Sequence, residues 1–164
     1  MAGHRKQRAA AVGNVPRMHE DEYTVIEDVI APGEPGSQHH LVDYETQELV
    51  SKLWSKYVAM AREGLESGDI VPAPRRITTV LDNECFAGQA LQRGIKAVAR
   101  TRRTYTLQAA LWHADDGRMV VTSEFVTVAA DRSTGSAVEI PADLWANVER
   151  IEGHEIPITE RPAS

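Results

Sequence analysis

The stretch Leu49-Val-Ser-Lys-Leu-Trp-Ser-Lys-Tyr-Val-Ala-Met-Ala61 decides the fold. Leu49, Val50, Leu53, Trp54, Tyr57, Val58 and Ala61 recur at three- and four-residue steps, and Leu65 continues the series. That period lays a wide apolar stripe along one side of an α-helix. Asp43 suits a capping position and Glu45 the first turn, where a carboxylate meets the positive end of the helix dipole. Gly64 and Gly68 are stop signals. A helix from about residue 42 to 64 would be roughly 33 Å long. A stripe of that length needs a sheet or a partner to cover it.

Working outward, the chain on the N-terminal side is Ala31–His40, APGEPGSQHH, whose two prolines and two glycines exclude regular structure. Before it, Tyr23–Ile30 (YTVIEDVI) is rich in β-forming residues and reads as a strand. On the C-terminal side the period changes to two. Arg76–Phe86 is expected as the second strand. Ile95–Thr101 is the third, entered through Gly94. Tyr105–His113 is the fourth, with Tyr105, Leu107, Ala109 and Leu111 alternating onto one face. Asp115-Asp116-Gly117 forms a tight turn into a fifth strand, Met119–Ala130. Pro141 then opens a short helix, Ala142–Ile151, with Leu144, Trp145 and Val148 on one side. The short links of the last three strands predict an antiparallel meander.

The order is strand, long helix, four strands, short helix, which makes an α+β domain. Its economical packing is a five-stranded antiparallel sheet wrapped around the one long helix. Such a sheet has edges to protect, and pairing with a second copy would protect them. A homodimer or a dimer of dimers is therefore expected. Residues 1–20 and 153–164 read as flexible tails flanking a folded unit of about 21–152.

A chain of 164 residues with net charge −6 is long enough for one core and carries no overall basic surface. Nucleic acid is not the expected partner, because phosphate neutralisation needs such a surface. The longest apolar runs fall far short of a bilayer span, so no membrane partner is expected either. The basic start lacks the apolar stretch of a secretory signal. The single cysteine, Cys85, cannot form an internal disulfide, which fits a cytoplasmic location.

The order of elements resembles the hotdog fold. The C-terminal half carries the resemblance: Gly88-Gln-Ala-Leu-Gln-Arg-Gly94 before a strand, Thr101-Arg-Arg-Thr-Tyr105 at a junction, and Asp115-Asp-Gly-Arg118 in a hairpin. Phe125-Val-Thr-Val-Ala-Ala-Asp131 then runs into Thr134-Gly135 and Ile140-Pro141. This pattern, over about residues 21–150, is similar to acyl-CoA thioesterases of the 4-hydroxybenzoyl-CoA thioesterase type. The resemblance implies hydrolysis of an acyl-CoA or acyl-carrier thioester at a dimer interface. Coenzyme A would enter as part of the substrate, with no separate cofactor and no metal. A hotdog dehydratase or hydratase, or a non-catalytic acyl-CoA-binding module, has the same outline.

Pro32–Glu48 is the expected site. Family members place an acid in the loop after the first strand or inside the helix, and a histidine at the helix start. Glu34 and Glu48 match the two acid positions, and His39 or His40 the histidine. This loop has no aspartate, and no glycine pair follows its histidines. Thioester hydrolysis needs a carboxylate to activate water or attack the carbonyl, and donors for the oxyanion. Asp43 is a further candidate, with a helix cap as its plainer role. Arg100, Arg102 and Arg103 form the densest basic cluster of the folded part and would suit the phosphates of coenzyme A. Their plainer role is a solvated strand end.

Overall fold

A computed structural model describes residues 18–65 and 68–159. Its elements run β1 (Val25–Ile30), α1 (Asp43–Ala61), β2 (Ile70–Leu81), β3 (Ala90–Arg100), β4 (Thr104–His113), β5 (Met119–Asp131), β6 (Ala137–Val138) and α2 (Ala142–Glu152). The five long strands form one antiparallel sheet in the order β1-β3-β4-β5-β2, with the two-residue β6 paired to β5. The β3-β4-β5 meander and the single long helix are those expected. Among the described residues, no helix is long and apolar enough to cross a membrane.

The strand alternation decides which side is buried. Leu91, Ile95, Leu107, Leu111, Val121 and Phe125 line the concave face and are almost fully buried. Leu49, Val50, Leu53, Tyr57, Val58 and Ala61 of α1 pack into it. Burying an aliphatic or aromatic side chain stabilises by about 1.5–3 kcal/mol, so this one stripe supplies the largest block of driving force.

Three boundaries differ from the sequence reading. First, β2 begins six residues before Arg76 and ends five before Phe86. Pro72 and Pro74 lie in the added part, a residue type that the middle of a sheet excludes. They are tolerated because β2 is an edge strand, paired only to β5 and kinked by a register shift between Pro74 and Arg76. Second, β3 begins at Ala90, so Gly94 lies inside it rather than at its entrance. A β-carbon on Gly94 would stand 2.7 Å from the Tyr23 side chain and 2.8 Å from the Trp112 ring. The bare backbone lets Tyr23 stack on Trp112, with ring centres 5.5 Å apart, on the convex face. Third, α1 spans 19 residues, shorter than expected; the cap is Val42, and Asp43 is the first helical residue.

The flanks of the folded unit also extend further than expected. His19 Nε2 lies 2.7 Å from the Gly117 carbonyl, and its ring meets Trp112 edge-on. At the other end, Ile156 is buried and Ile158 bridges Arg100, with the Thr159 N–H donating to the Arg100 carbonyl. The chain is therefore anchored as far as Thr159, well into the expected loose end. Residues 1–17 and 160–164 lie outside the described residues.

Helix α2 closes the carboxyl end of α1. The Asn147 side-chain amide donates to the carbonyls of Ala61 and Glu63, at the end where a helix leaves its carbonyls without internal partners. The Glu152 carboxylate accepts from the Tyr57 hydroxyl, the Ala97 N–H and the Thr24 hydroxyl, tying α2 to α1 and β3.

Candidate functional site

The loop between β1 and α1 is stitched to residues 85–89. Ala31 N–H donates to the Gln89 carbonyl, Gly88 N–H to Ala31, Ala87 N–H to His39, and Leu41 N–H to Cys85. Gly88 has φ +84°, and a β-carbon there would stand 2.8 Å from Pro35. These bonds set the entry of the chain into α1 and so place every candidate in Pro32–Glu48.

They do not bring all the candidates together. Glu34 is exposed on the loop, where its carbonyl closes a turn with the Ser37 N–H. The two histidines diverge, as neighbours in extended chain must. His40 packs on Phe86, with its Nδ1 3.6 Å from the Glu84 carboxylate. His39 turns toward the helix and places Nε2 3.0 Å from Oε1 of Glu45. An ionised carboxylate only accepts, so Nε2 carries the proton.

Glu45, which the sequence reading placed in the first turn but not among the site residues, is the acid that meets a histidine at this end of the helix. Its Oε1 also accepts the Val42 N–H at 3.1 Å, satisfying one orphan donor of the first turn. That backbone bond, then the bond to His39, holds its carboxyl below the usual glutamate range. Asp43 is not the cap; its Oδ1 accepts the N–H of its own neighbour Tyr44 at 2.9 Å within the first turn. Cys85 is buried behind this end of the helix. Burial, then the nearby Glu45 charge, pushes its thiol up to about 11, as for a buried structural cysteine.

The two flanks of α1 are unlike. Toward β1 the flank is closed by charge: Glu27 pairs with Lys56 and, at 3.0 Å, with Arg93. Toward β2 no ion pair closes it among the described residues, and side-chain hydrogen bonds bridge it instead. Tyr44, Gln47, Ser51 and Trp54 follow one another at helical spacing along that side, and Glu48 lies one turn beyond Tyr44. Facing them from the sheet are Ile77, Thr79 and Leu81 of β2 and Ser123, Phe125 and Thr127 of β5. Gln47 Oε1 accepts from the Thr79 hydroxyl at 2.5 Å and the Ser123 hydroxyl at 3.3 Å, and Gln47 Nε2 donates to Ser51 at 3.2 Å. Trp54 stacks on Phe125 and donates its indole N–H to the Thr127 hydroxyl at 3.1 Å. The result is a slot with a polar waist, an aromatic end wall and an apolar lip, where Tyr44 is 72%, Ile77 46% and Leu81 57% exposed.

The signal for this slot was present in β5. Val121, Ser123, Phe125 and Thr127 all point at the helix, so two hydroxyls occupy core-facing positions of an otherwise apolar series. The edge beside the slot is unusual too. Ile77-Thr-Thr-Val-Leu81 is uncharged, although the exposed Arg75 and Arg76 precede it in β2, and its outer side pairs with no strand among the described residues. The other edge, β1, carries Glu27 and Asp28, the usual protection of a free edge.

Glu48 is 63% exposed and its carboxylate is 3.5 Å from Lys52. It lies on the solvent-facing side of the helix, away from its apolar face. The three arginines lie elsewhere. Arg100 stacks over Trp145 at 4.5 Å, and Arg102 pairs with Glu139 at 2.6 Å. Arg103, also exposed, shares their hairpin. That hairpin is at the opposite end of β3 from the helix start, roughly 30 Å away at about 3.3 Å per residue.

No protein-family model matches this chain, and no curated protein does. Solved structures do. A thioesterase-superfamily structure from Jannaschia sp. CCS1 superposes with a TM-score of 0.71 at 12% identity, covering 92% of this chain and 94% of that one. A thioesterase from Thermus thermophilus, complexed with coenzyme A and Zn, gives 0.65 at 15% identity, covering 82% and 98%. A 1,4-dihydroxy-2-naphthoyl-CoA thioesterase from Synechocystis gives 0.63 at 7% identity, covering 75% and 93%. At such identities the shared property is the fold.

Proposed function

Starting from the hotdog fold that this chain has in common with solved thioesterases, we propose that it hydrolyses an acyl thioester in the slot between α1 and β2. The observation that carries this reading is the asymmetry of α1. One flank is sealed by Glu27, Lys56 and Arg93, while the other has no ion pair to the sheet among the described residues and lies beside Ile77–Leu81, the uncharged part of an unpaired strand edge. A second copy paired along Ile77–Leu81 would roof the slot and remove the free edge together.

The thioester carbonyl sits at the amino end of α1, where backbone N–H groups and the helix dipole favour a developing oxyanion. The acyl group lies along Tyr44, Gln47, Ser51 and Trp54. Glu48 is the base that activates water. It is exposed one turn beyond Tyr44, and a second copy roofing the slot would cover it. Glu45 is the poorer base, since the Val42 N–H and His39 stabilise its ionised form. Its work is to fix His39 and the first turn. Water is the nucleophile, and coenzyme A arrives as part of the substrate. Arg102 and Arg103 are too far from the slot mouth of their own chain, so phosphates could meet them only on another copy.

The test is release of thiol from a panel of acyl-CoA esters by the purified protein. Glu48→Gln should cut the rate by about 100-fold or more, the usual worth of a positioned base. Full activity in that variant removes Glu48 from the mechanism. A second reading, binding of the thioester without hydrolysis, is favoured by one observation: the carboxylate that does meet a histidine, Glu45, is held acidic. Saturable acyl-CoA binding with no thiol release would support it.

A further inference from the structure

The waist of the slot has a hydrogen-bond arithmetic that an acyl group must answer. Gln47 Oε1 accepts from both Thr79 and Ser123, and those two hydroxyl oxygens are 3.0 Å apart. One Gln47 amide proton goes to Ser51. An amide and a hydroxyl carry two donors and one donor respectively. The second Gln47 amide proton and the Ser51 hydroxyl proton therefore have no acceptor among the described residues. Both sit on the slot side of α1. Ser123 is almost fully buried, while Gln47 and Ser51, which carry the two donors, are half-buried and reach solvent. Gln47 stands about 6 Å along the helix axis from its first residue, and Trp54, closing the slot, about 16 Å.

We propose that this waist selects acyl groups bearing a neutral oxygen acceptor, a hydroxyl or carbonyl, roughly one helical turn in from the thioester. The inference rests on the reading of the slot as the thioester site. A plain hydrocarbon chain would cover the two donors without pairing them, and an unpaired polar group brought out of water is penalised. Trp54 stacked on Phe125 limits the acyl group to a short one.

The experiment compares pairs of acyl-CoA esters of equal length, one with and one without the oxygen substituent, by thiol release and by calorimetric binding. The expected result is about a tenfold or greater preference for the oxygen-bearing partner, the effect of roughly one hydrogen bond. In Gln47→Leu, and independently in Ser51→Ala, the ratio should fall toward one, with circular dichroism and melting showing that each variant is folded. Equal handling of both esters by the wild type, or a ratio unmoved in both variants, overturns the inference and leaves the hydrolase reading standing. Selective binding without any thiol release overturns the hydrolase reading and supports this one. Absence of both binding and release overturns both.

Discussion

The Nε2 atom of His39 lies 3.0 Å from Oε1 of Glu45, and the same oxygen accepts the Val42 N–H. One carboxylate thus ends the loop, caps the helix and orients a histidine. Because its folded-state pKa is depressed, its stabilising contribution is present above the ordinary glutamate value and is lost as pH falls through the lowered one. Glu45→Gln should therefore melt below wild type at neutral pH, with the gap closing in acid. Melting curves of both proteins from neutral to strongly acidic pH check this. A gap of constant size would mean that the charge of Glu45 is not what stabilises the turn.

The β2 edge should be a contact between copies. Wild-type protein is expected at twice the chain mass, or a multiple of it, in light scattering. Ile77→Lys puts a charge on the uncharged edge at a position already 46% exposed, so the fold should survive while the assembly shifts toward monomer. Thiol release should fall with it, since the slot loses its roof. A wild-type monomer that is fully active contradicts the proposed site.

Gly94 is held small by its neighbours. Gly94→Ala brings a methyl group to 2.7 Å from Tyr23 and 2.8 Å from the buried Trp112 ring. Overpacking of this kind typically costs about 1–3 kcal/mol. Urea titration should show the loss, and proteolysis near residues 18–24 should quicken as Tyr23 is displaced. Unchanged stability would mean that the convex-face cluster yields at no cost.

Tyr57 tests the joint between the two helices. Its buried hydroxyl donates to Glu152, and burial first, then that carboxylate, raises its pKa. Tyr57→Phe removes one of the donors to the carboxylate and should destabilise by about 1–3 kcal/mol, measured by urea denaturation. Slot chemistry should be little altered, because Glu152 lies at the carboxyl end of α1. A large loss of thiol release with unchanged stability would show the two ends to be coupled.

The fold was legible in the sequence because its two periods are strong. Leu49 to Ala61 at helical steps and Tyr105 to Leu111 at steps of two identify their elements without help from tertiary structure. Asp115-Asp116-Gly117 likewise specifies its turn locally. The sequence also placed both histidines and the acids in one segment. It could not say which of them meet. That choice depends on the bonds from Leu41 to Cys85 and from Ala87 to His39, between residues far apart along the chain. The first half of β2, with Pro72 and Pro74, was not expected as strand, and whether proline is tolerated there depends on the strand being central or at an edge, which is a property of the assembled sheet. Most of all, the slot is made by Gln47 and Ser51 from a helix, Thr79 from an edge strand and Ser123 from its neighbour. Local pattern assigned each of these to an element, but only the wrapping of the sheet around α1 made them neighbours, because hydrogen bonds of fixed length form between side chains that packing, not sequence spacing, brings within reach.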